Sequence, residues 1–361
     1  MSRHNTIHSD ASLFEALEAL NGLYDREHMT LFVLDGEDRV VGTLTDGDLR
    51  RALLRGLSLD SRAAEACQPK FRCVTPGMTT RERLELFREC RRRNICLVPE
   101  LDADRRLLNL IDLTATPTRL PLSAVLMAGG KGERLRPMTL TTPKPLLKIE
   151  GKAIIDYNIE ALAASGIDDI CVCTRYLAEQ IEEHFREPFG DTGVQVRCVR
   201  EDRPLGTIGA VALTGVAEKE GASVVMNSDL LTTISYEDMY LRHIDSGADV
   251  TIAVVPFQVS VPFAILSFDP EDPERVTALE EKPTYSHYAN AGIYIFKNDI
   301  LRKVCPGESK DAPDLIAEAI SQGARVTYYV IKGTWIDVGS PTDFRQACEL
   351  MKHYRNLEFR S

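Results

Sequence analysis

Between Ala128 and Pro145 the sequence gathers glycines, arginines and lysines at a spacing suited to holding phosphate. The apolar run Ala124–Ala128 reads as a strand, and it passes straight into Gly129-Gly-Lys-Gly-Glu-Arg-Leu-Arg-Pro137. Glycines at Gly129, Gly130 and Gly132 permit positive φ and let backbone N–H groups approach an anion with no Cβ in the way. Arg134 can donate two parallel charge-assisted bonds to phosphate oxygens. Lys144, set between Pro143 and Pro145 on stiff backbone, would neutralise charge on reacting phosphates. Glu133 is a misfit in such a loop, because a carboxylate beside phosphates is repulsive unless it turns to solvent or helps hold a cation. Farther on, the run SVVMN ends in Asn227-Ser228-Asp229, and Asp337 in Trp335-Ile-Asp-Val-Gly339 again follows a β-like run. Magnesium binds through one or two carboxylates with phosphate oxygens completing its shell, so Asp229 is the natural first ligand and Asp337 the second candidate.

The elements that would position these residues are legible as well. After Pro121, β-rich runs alternate with helical periods: SAVLMA, KAIIDYNIEALAASG, DICVCT, LAEQIEEHF, VQVRCVRE, IGAVALTG, SVVMN and MYLRHI. This α/β alternation predicts a mostly parallel, Rossmann-like sheet with helices on both faces and ligands beyond the carboxyl ends of its strands. Ahead of it, residues 8 to 113 show one pattern twice: helix, strand, turn, strand, acidic helix start. The first copy has a helix at Leu13–Leu20, strands MTLFVLD and VVGTLT, and a helix opening at Asp46, where Asp46 or Asp48 would cap free N–H groups. The second has Thr80–Cys90, NICLVPE, a turn at Asp102–Asp104, and RLLNLIDL. The polar, proline-punctuated stretch Thr114–Pro121 is the expected linker, giving an α+β domain over 1–117 and a larger one over 121–361.

Composition narrows the setting. A formal net charge of −11 opposes non-specific binding of nucleic acid. The arginines Arg91–Arg93 read as a solvated helix end. No apolar run is long enough to span a membrane, and the N-terminus has no export signal. Nine cysteines without CxxC spacing read as reduced core residues of a cytoplasmic protein. The seven histidines fall in no metal-ligand spacing, and His287 reads as a loop residue.

The run Leu126-Met-Ala-Gly-Gly-x-Gly-x-Arg-Leu-x-Pro137, followed by Thr-Pro-Lys-Pro-Leu146, resembles the nucleotide-sugar pyrophosphorylases, which join an NTP to a sugar 1-phosphate. The likeness extends from Leu122 to about Ala347. It implies that Ala128, Gly129, Gly130, Gly132 and Arg134 bind the nucleotide, with Glu201, Gly206 and Thr207 of the next motif. Gly206 would lie against the nucleobase or sugar, and Thr207 would help open a helix. Asp229 and Asp337 would together hold Mg²⁺. Glu281 and Lys282, with Asn290 and Gly292, would meet the sugar and its phosphate beside Lys144; on spacing alone, Glu281 and Lys282 could equally be an exposed strand end. Glu133 stands where relatives commonly carry threonine or serine.

The duplicated region resembles the cystathionine-β-synthase (CBS) domain pair through Gly42-Thr-Leu-Thr45-Asp-Gly-Asp48. In that family the threonine and aspartate bind an adenine nucleotide. The second copy, Asn109-Leu-Ile-Asp112-Leu, lacks the glycine and threonine. Either Thr45 and Asp48 hold an adenylate, or they cap a helix in a module for oligomerisation; a homo-oligomer is expected. The style of both regions together resembles hexose- or hexosamine-1-phosphate guanylyltransferases, which favours GTP and a mannose- or glucosamine-type sugar. Thymidylyl or uridylyl transfer to glucose 1-phosphate is the alternative, CTP fits less, and a non-catalytic nucleotide sensor is the rival of another class. The chain ends soon after FRQACELMKHY, so no fused β-helix is expected.

Overall fold

The computed structural model of the chain describes residues 5–23, 29–114 and 119–358. The chain divides into two compact units, Met1–Thr118 and Arg119–Ser361. Half of the expected linker, residues 115–118, lies outside the described residues.

In the first unit the duplication is visible in the backbone. Thr6–His8 runs parallel to Thr30–Leu34, which pairs antiparallel with Val40–Thr45. In the second copy Val74 bridges Glu100 in parallel, and Leu97–Leu101 pairs antiparallel with Leu107–Asp112. Each copy opens its first helix with the same device. Ser12 and Glu15 form a reciprocal capping box ahead of Leu13–Asn21, and Thr79 and Glu82 form one ahead of Thr80–Arg92. Arg91–Arg93 do lie at that helix's end. The helix Asp46–Leu54 corrects one expectation. Its N-cap is Thr45, not Asp46 or Asp48: the Thr45 hydroxyl accepts from Asp48 N, and Asp48 Oδ2 accepts from the Thr45 N–H and hydroxyl at 2.9 and 2.6 Å. Arg51 binds the other Asp48 oxygen at 2.6 Å. Both candidate ligand groups are thus engaged in the cap.

The second unit is built on a seven-stranded sheet of β1 (Leu122–Ala128), β2 (Asp169–Thr174), β3 (Val196–Arg200), β4 (Ala222–Asn227), β5 (Val250–Ser260), β6 (Thr284–Lys297) and β7 (Val326–Val330). The order is 3-2-1-4-6-5-7, and only β6 runs against its neighbours. Strands β1, β2 and β4 are almost wholly buried, which is why they read as continuous apolar runs with no alternation. One core packs Val125, Val225 and Phe296 against Leu315 and Ile316 of the helix Ala312–Ser321. Another gathers Leu135, Ile149, Ile154, Leu231 and Val338 beneath the site. Each such side chain contributes roughly 1.5–3 kcal/mol on leaving water, which holds the strand ends in fixed relation.

Two local readings change. The run IGAVALTG is a 3₁₀ turn, Gly209–Leu213, as its small residues and flanking glycines allow. The cysteines are free, but only Cys90, Cys171 and Cys173 are buried, and Cys305 is exposed, so they are not uniformly core residues. Among the described residues no helix is long and apolar enough to cross a membrane.

Candidate active site

Four strands deliver their carboxyl ends to one place. A cavity of about 310 Å³ is lined by Ala128, Gly129 and Gly130 at the end of β1, Arg175 after β2, Glu201 and Pro204 to Thr207 after β3, and Asn227 to Asp229 at the end of β4, with Lys144 and Pro145 beside them. This is the edge where an open α/β sheet binds ligands.

The glycine loop is held by its neighbours. Gly132 has φ +60°, and a Cβ there would lie 2.9 Å from Thr139 Cγ2 and 3.2 Å from Lys144 Cβ. The buried Thr139 hydroxyl donates to Gly132 O at 2.8 Å, and Tyr176 OH donates to Thr139 O at 2.9 Å. A chain of short contacts therefore runs from the end of β2 to the loop and on to Lys144. Glu133, the expected misfit, is exposed and pairs with Arg136 at 3.4 Å, which takes its charge out to solvent.

Asp229 and Asp337 meet through a small ribbon. Leu230–Thr232 pairs antiparallel with Trp335–Asp337, and Val338 N donates to Asp229 O at 3.1 Å. Lys144 ion-pairs with Asp229 Oδ2 and lies 3.6 Å from Asp337 Oδ1. The Oδ1 atoms of both aspartates are buried and accept no hydrogen bond. An orphaned buried carboxylate oxygen is costly unless a cation takes it. Burial and the neighbouring Asp229 charge push the Asp337 carboxyl up, with Lys144 and Arg134 acting against them. Arg134 reaches the same corner: a Cβ on Gly339 would lie 3.1 Å from its Nη2. Among the described residues no cluster of three or more His, Cys, Asp or Glu forms a metal site. The two aspartates thus fit a cation that takes its remaining ligands from phosphate and water, as Mg²⁺ does.

Glu201 is buried at the base of the pocket. Its Oε2 accepts from Leu205 N at 3.2 Å, and a Cβ on Gly129 would lie 2.8 Å from its Oε1. Burial pushes this carboxyl up; the Leu205 N–H and the Arg175 charge pull it back.

The next two residues also pack against a distant part of the chain, and the local role expected of Thr207 changes. Gly206, at φ +74°, packs against the chain, where a Cβ would lie 2.4 Å from Lys310 O. Thr207 does not open a helix of its own. Its hydroxyl accepts from Ala312 N at 2.9 Å, and its N–H donates to Asp311 Oδ1 at 2.8 Å, so it caps the distant helix Ala312–Ser321. Both residues still border the cavity.

The expected sugar residues separate. Gly292 (φ +70°) is pressed against Asn227, whose Nδ2 would lie 2.7 Å from a Cβ, and Asn290 Oδ1 accepts from Gly292 N at 3.0 Å. Asn227 lines the cavity, so Gly292 stands behind its wall, and Asn290 and Gly292 themselves do not line it. Glu281 and Lys282 are exposed at the end of the strand Val276–Glu280 and do not line the cavity. Residues missed in the sequence include Arg175, Thr139, Tyr176 and the buried Asn158. Asn158 Nδ2 donates to Leu230 O at 2.9 Å and to Ser228 O at 3.5 Å, steadying Asp229 from both sides.

A glycine loop after the first strand and two aspartates at a shared corner, on a mostly parallel seven-stranded sheet, give the α/β architecture that the resemblance to nucleotide-sugar pyrophosphorylases implies. The sequence profile of the family described as Nucleotidyl transferase matches residues 123–353, and that of the CBS domain matches residues 1–55. The chain belongs to the nucleotidyl transferase family. It is 30% identical over 227 residues to the mannose-1-phosphate guanylyltransferase catalytic subunit beta of Danio rerio. It is 31% identical over 227 residues to a mannose-1-phosphate guanyltransferase of Neurospora crassa. In each case the match covers 62% of this chain and 62% of the relative's length. A solved structure from Bacillus anthracis, described as a glucose-1-phosphate thymidylyltransferase with sucrose, has a TM-score of 0.51 at 22% identity, covering 63% of this chain and 94% of that one. That likeness speaks to the fold.

Proposed function

We propose that this chain transfers a guanylyl group from GTP to a mannose-type sugar 1-phosphate in the cytoplasm, giving a GDP-sugar and pyrophosphate. The observation that carries the reading is the pair of buried Oδ1 atoms on Asp229 and Asp337 that accept no hydrogen bond, in two carboxylates that clasp Lys144 beside the glycine loop. A phosphate oxygen of the sugar 1-phosphate attacks the α-phosphorus in line. The new O–P bond forms as the bond to the β-phosphate oxygen breaks, and pyrophosphate leaves with that electron pair. The attacking oxygen is already ionised at neutral pH, so no side-chain nucleophile or base is required. The chain's task is alignment and charge neutralisation.

In this reading the N–H groups of Gly129, Gly130 and Gly132, with Arg134, hold the triphosphate, and Lys144 offsets charge at the reacting phosphates. Asp229 and Asp337 would hold Mg²⁺, which when bound supplies further neutralisation. Gly206 and Thr207 wall the nucleotide pocket, and Asn290 and Gly292 wall the sugar side, with Glu281 and Lys282 brought to it from the neighbouring strand end. Guanine presents adjacent N–H donors on its N1 and N2, which a carboxylate accepts as a pair; thymine and uracil present acceptors flanking a single donor. The buried Glu201 supports guanine on that ground, and the names of the curated relatives support both guanine and mannose. For the first unit, the capping box of Thr45 and Asp48 supports a structural role for that pair.

Asp229→Asn and Asp337→Asn test the reading. Each is expected to lower pyrophosphate release at least ~100-fold while leaving the fold intact. Full activity in either variant contradicts the assignment.

A further inference from the structure

The order of the strands lays the cavity out in a line. Across the strand ends stand Glu201 after β3, Arg175 after β2, the glycine loop after β1 and Asp229 after β4, with neighbouring strands about 5 Å apart. Lys144 and Arg134 gather at the β4 end, beside Asp229 and Asp337. A nucleotide whose phosphates lie on the glycine loop and at that corner puts its base over β2 and β3. What meets it there is a carboxylate beside a guanidinium. Glu201 is buried; its Oε2 accepts from Leu205 N, and its Oε1 accepts no hydrogen bond among the described residues. Arg175 is half-buried and, among the described residues, makes no hydrogen bond and no ion pair. Both border Gly129, where a Cβ would lie 2.8 Å from Glu201 Oε1 and 3.5 Å from Arg175 Cβ. A guanidinium keeps its charge, so one held half out of water without an acceptor is ready for an acceptor that arrives with the ligand.

We propose that Arg175 reads the O6 and N7 edge of guanine while Glu201 takes N1 and N2, which makes Arg175 a specificity-determining residue of this site. The proposal rests on the guanylyl reading above. Guanine's edge carries two donors, on N2 and N1, followed by two acceptors, O6 and N7, and a guanidinium donating bidentately is the fitting partner for those acceptors. Donors then acceptors on the base match carboxylate then guanidinium across β3 and β2. Adenine carries an amino donor where guanine has O6, so it would set donor against donor at Arg175, and the pyrimidines have no N7. Arg175 also stands two strands from Asp229, and the phosphate end already has Arg134 and Lys144, so a third phosphate cation is not what this position supplies.

Calorimetric binding of GTP, 7-deaza-GTP, ATP and UTP to the full chain, with Mg²⁺ and no sugar phosphate, tests this in wild type, Arg175→Ala and Arg175→Lys. The deaza base has C–H in place of N7 and so loses one acceptor. Wild type is expected to bind it about 10-fold more weakly than GTP, and Arg175→Ala to bind GTP about 10- to 100-fold more weakly than wild type does, with no deaza penalty left. UTP affinity should fall far less, and Arg175→Lys, which keeps the charge but loses the fork, should not restore GTP. A loss that is equal for GTP and UTP and is repaired by lysine marks a phosphate contact and overturns the proposal, as does a deaza penalty that persists in Arg175→Ala. Should the variants fail to fold, wild type decides: a deaza penalty supports the contact, and none overturns it. A wild type that binds UTP as well as GTP overturns the guanylyl reading and this proposal with it, whereas a GTP preference without coupling to Arg175 overturns this proposal alone.

Discussion

Replacing Gly132 by alanine probes the link between loop geometry and the reacting groups. The left-handed conformation at φ +60° costs alanine roughly 1 kcal/mol. The new Cβ would lie 2.9 Å from the Thr139 methyl and 3.2 Å from Lys144 Cβ, and relieving that compression costs a further ~1–2 kcal/mol. A total loss of about 2–3 kcal/mol is expected in thermal unfolding of the full chain. Because Lys144 is one of the groups pushed, kcat/KM for pyrophosphate release should fall about 10- to 100-fold. Thr139→Ser removes the offending methyl but keeps the hydroxyl that binds Gly132 O. In the double variant a methyl has in effect moved from residue 139 to residue 132. It should be at least ~1 kcal/mol more stable than the sum of the single losses predicts, with activity partly restored. Losses that simply add would refute the argument that Thr139 and Lys144 set the loop's position.

Glu201→Gln should erode the preference for GTP over UTP and TTP by roughly 10- to 100-fold in competition assays, because an amide opposes a donor to one guanine N–H. An unchanged preference would remove Glu201 from base reading. His243 is buried, with Nδ1 2.8 Å from Thr251 Oγ1 and with Lys297 and Asp249 nearby. Burial lowers its pKa from 6.5 to about 4, with the Lys297 charge adding and the Asp249 charge opposing. The unfolded chain therefore binds the proton first. Stability present above pH 6.5 is lost as pH falls toward 4, by roughly 3 kcal/mol. Chemical unfolding of wild type and His243→Gln at pH 7 and pH 4.5 checks this: the variant should show a clearly shallower decline.

Much of the site was legible because its chemistry needs particular residue types close together in the chain. The glycine loop, Arg134 and Lys144 fall within one short stretch, and the apolar run before them announces the strand that carries them. Asp337 is a candidate on its own, but its meeting with Asp229 could be named only through resemblance, since the ribbon that joins them has three residues per strand, too few for a pattern. Thr207 misled because a helix cap is read from local sequence, whereas this one closes a helix far along the chain. Arg175 belongs to no motif, yet it follows the last residue of β2, and the rule that ligands sit beyond strand ends would have found it. The ribbon that β5 and β6 form beyond Val254 was read only for the residues that the resemblance sets beside the sugar, because an apolar run in sequence does not say whether its own chain will cover it.

The most direct test of the account is pyrophosphate release, with Mg²⁺, from GTP, TTP, UTP, CTP and ATP against mannose, glucose, glucosamine and N-acetylglucosamine 1-phosphates. The account predicts turnover that is strongest with GTP and mannose 1-phosphate and is lost when the metal is chelated. Release that prefers TTP or UTP with glucose 1-phosphate would contradict the base and sugar assignment. Nucleotide binding without turnover of any pair would contradict the transferase itself.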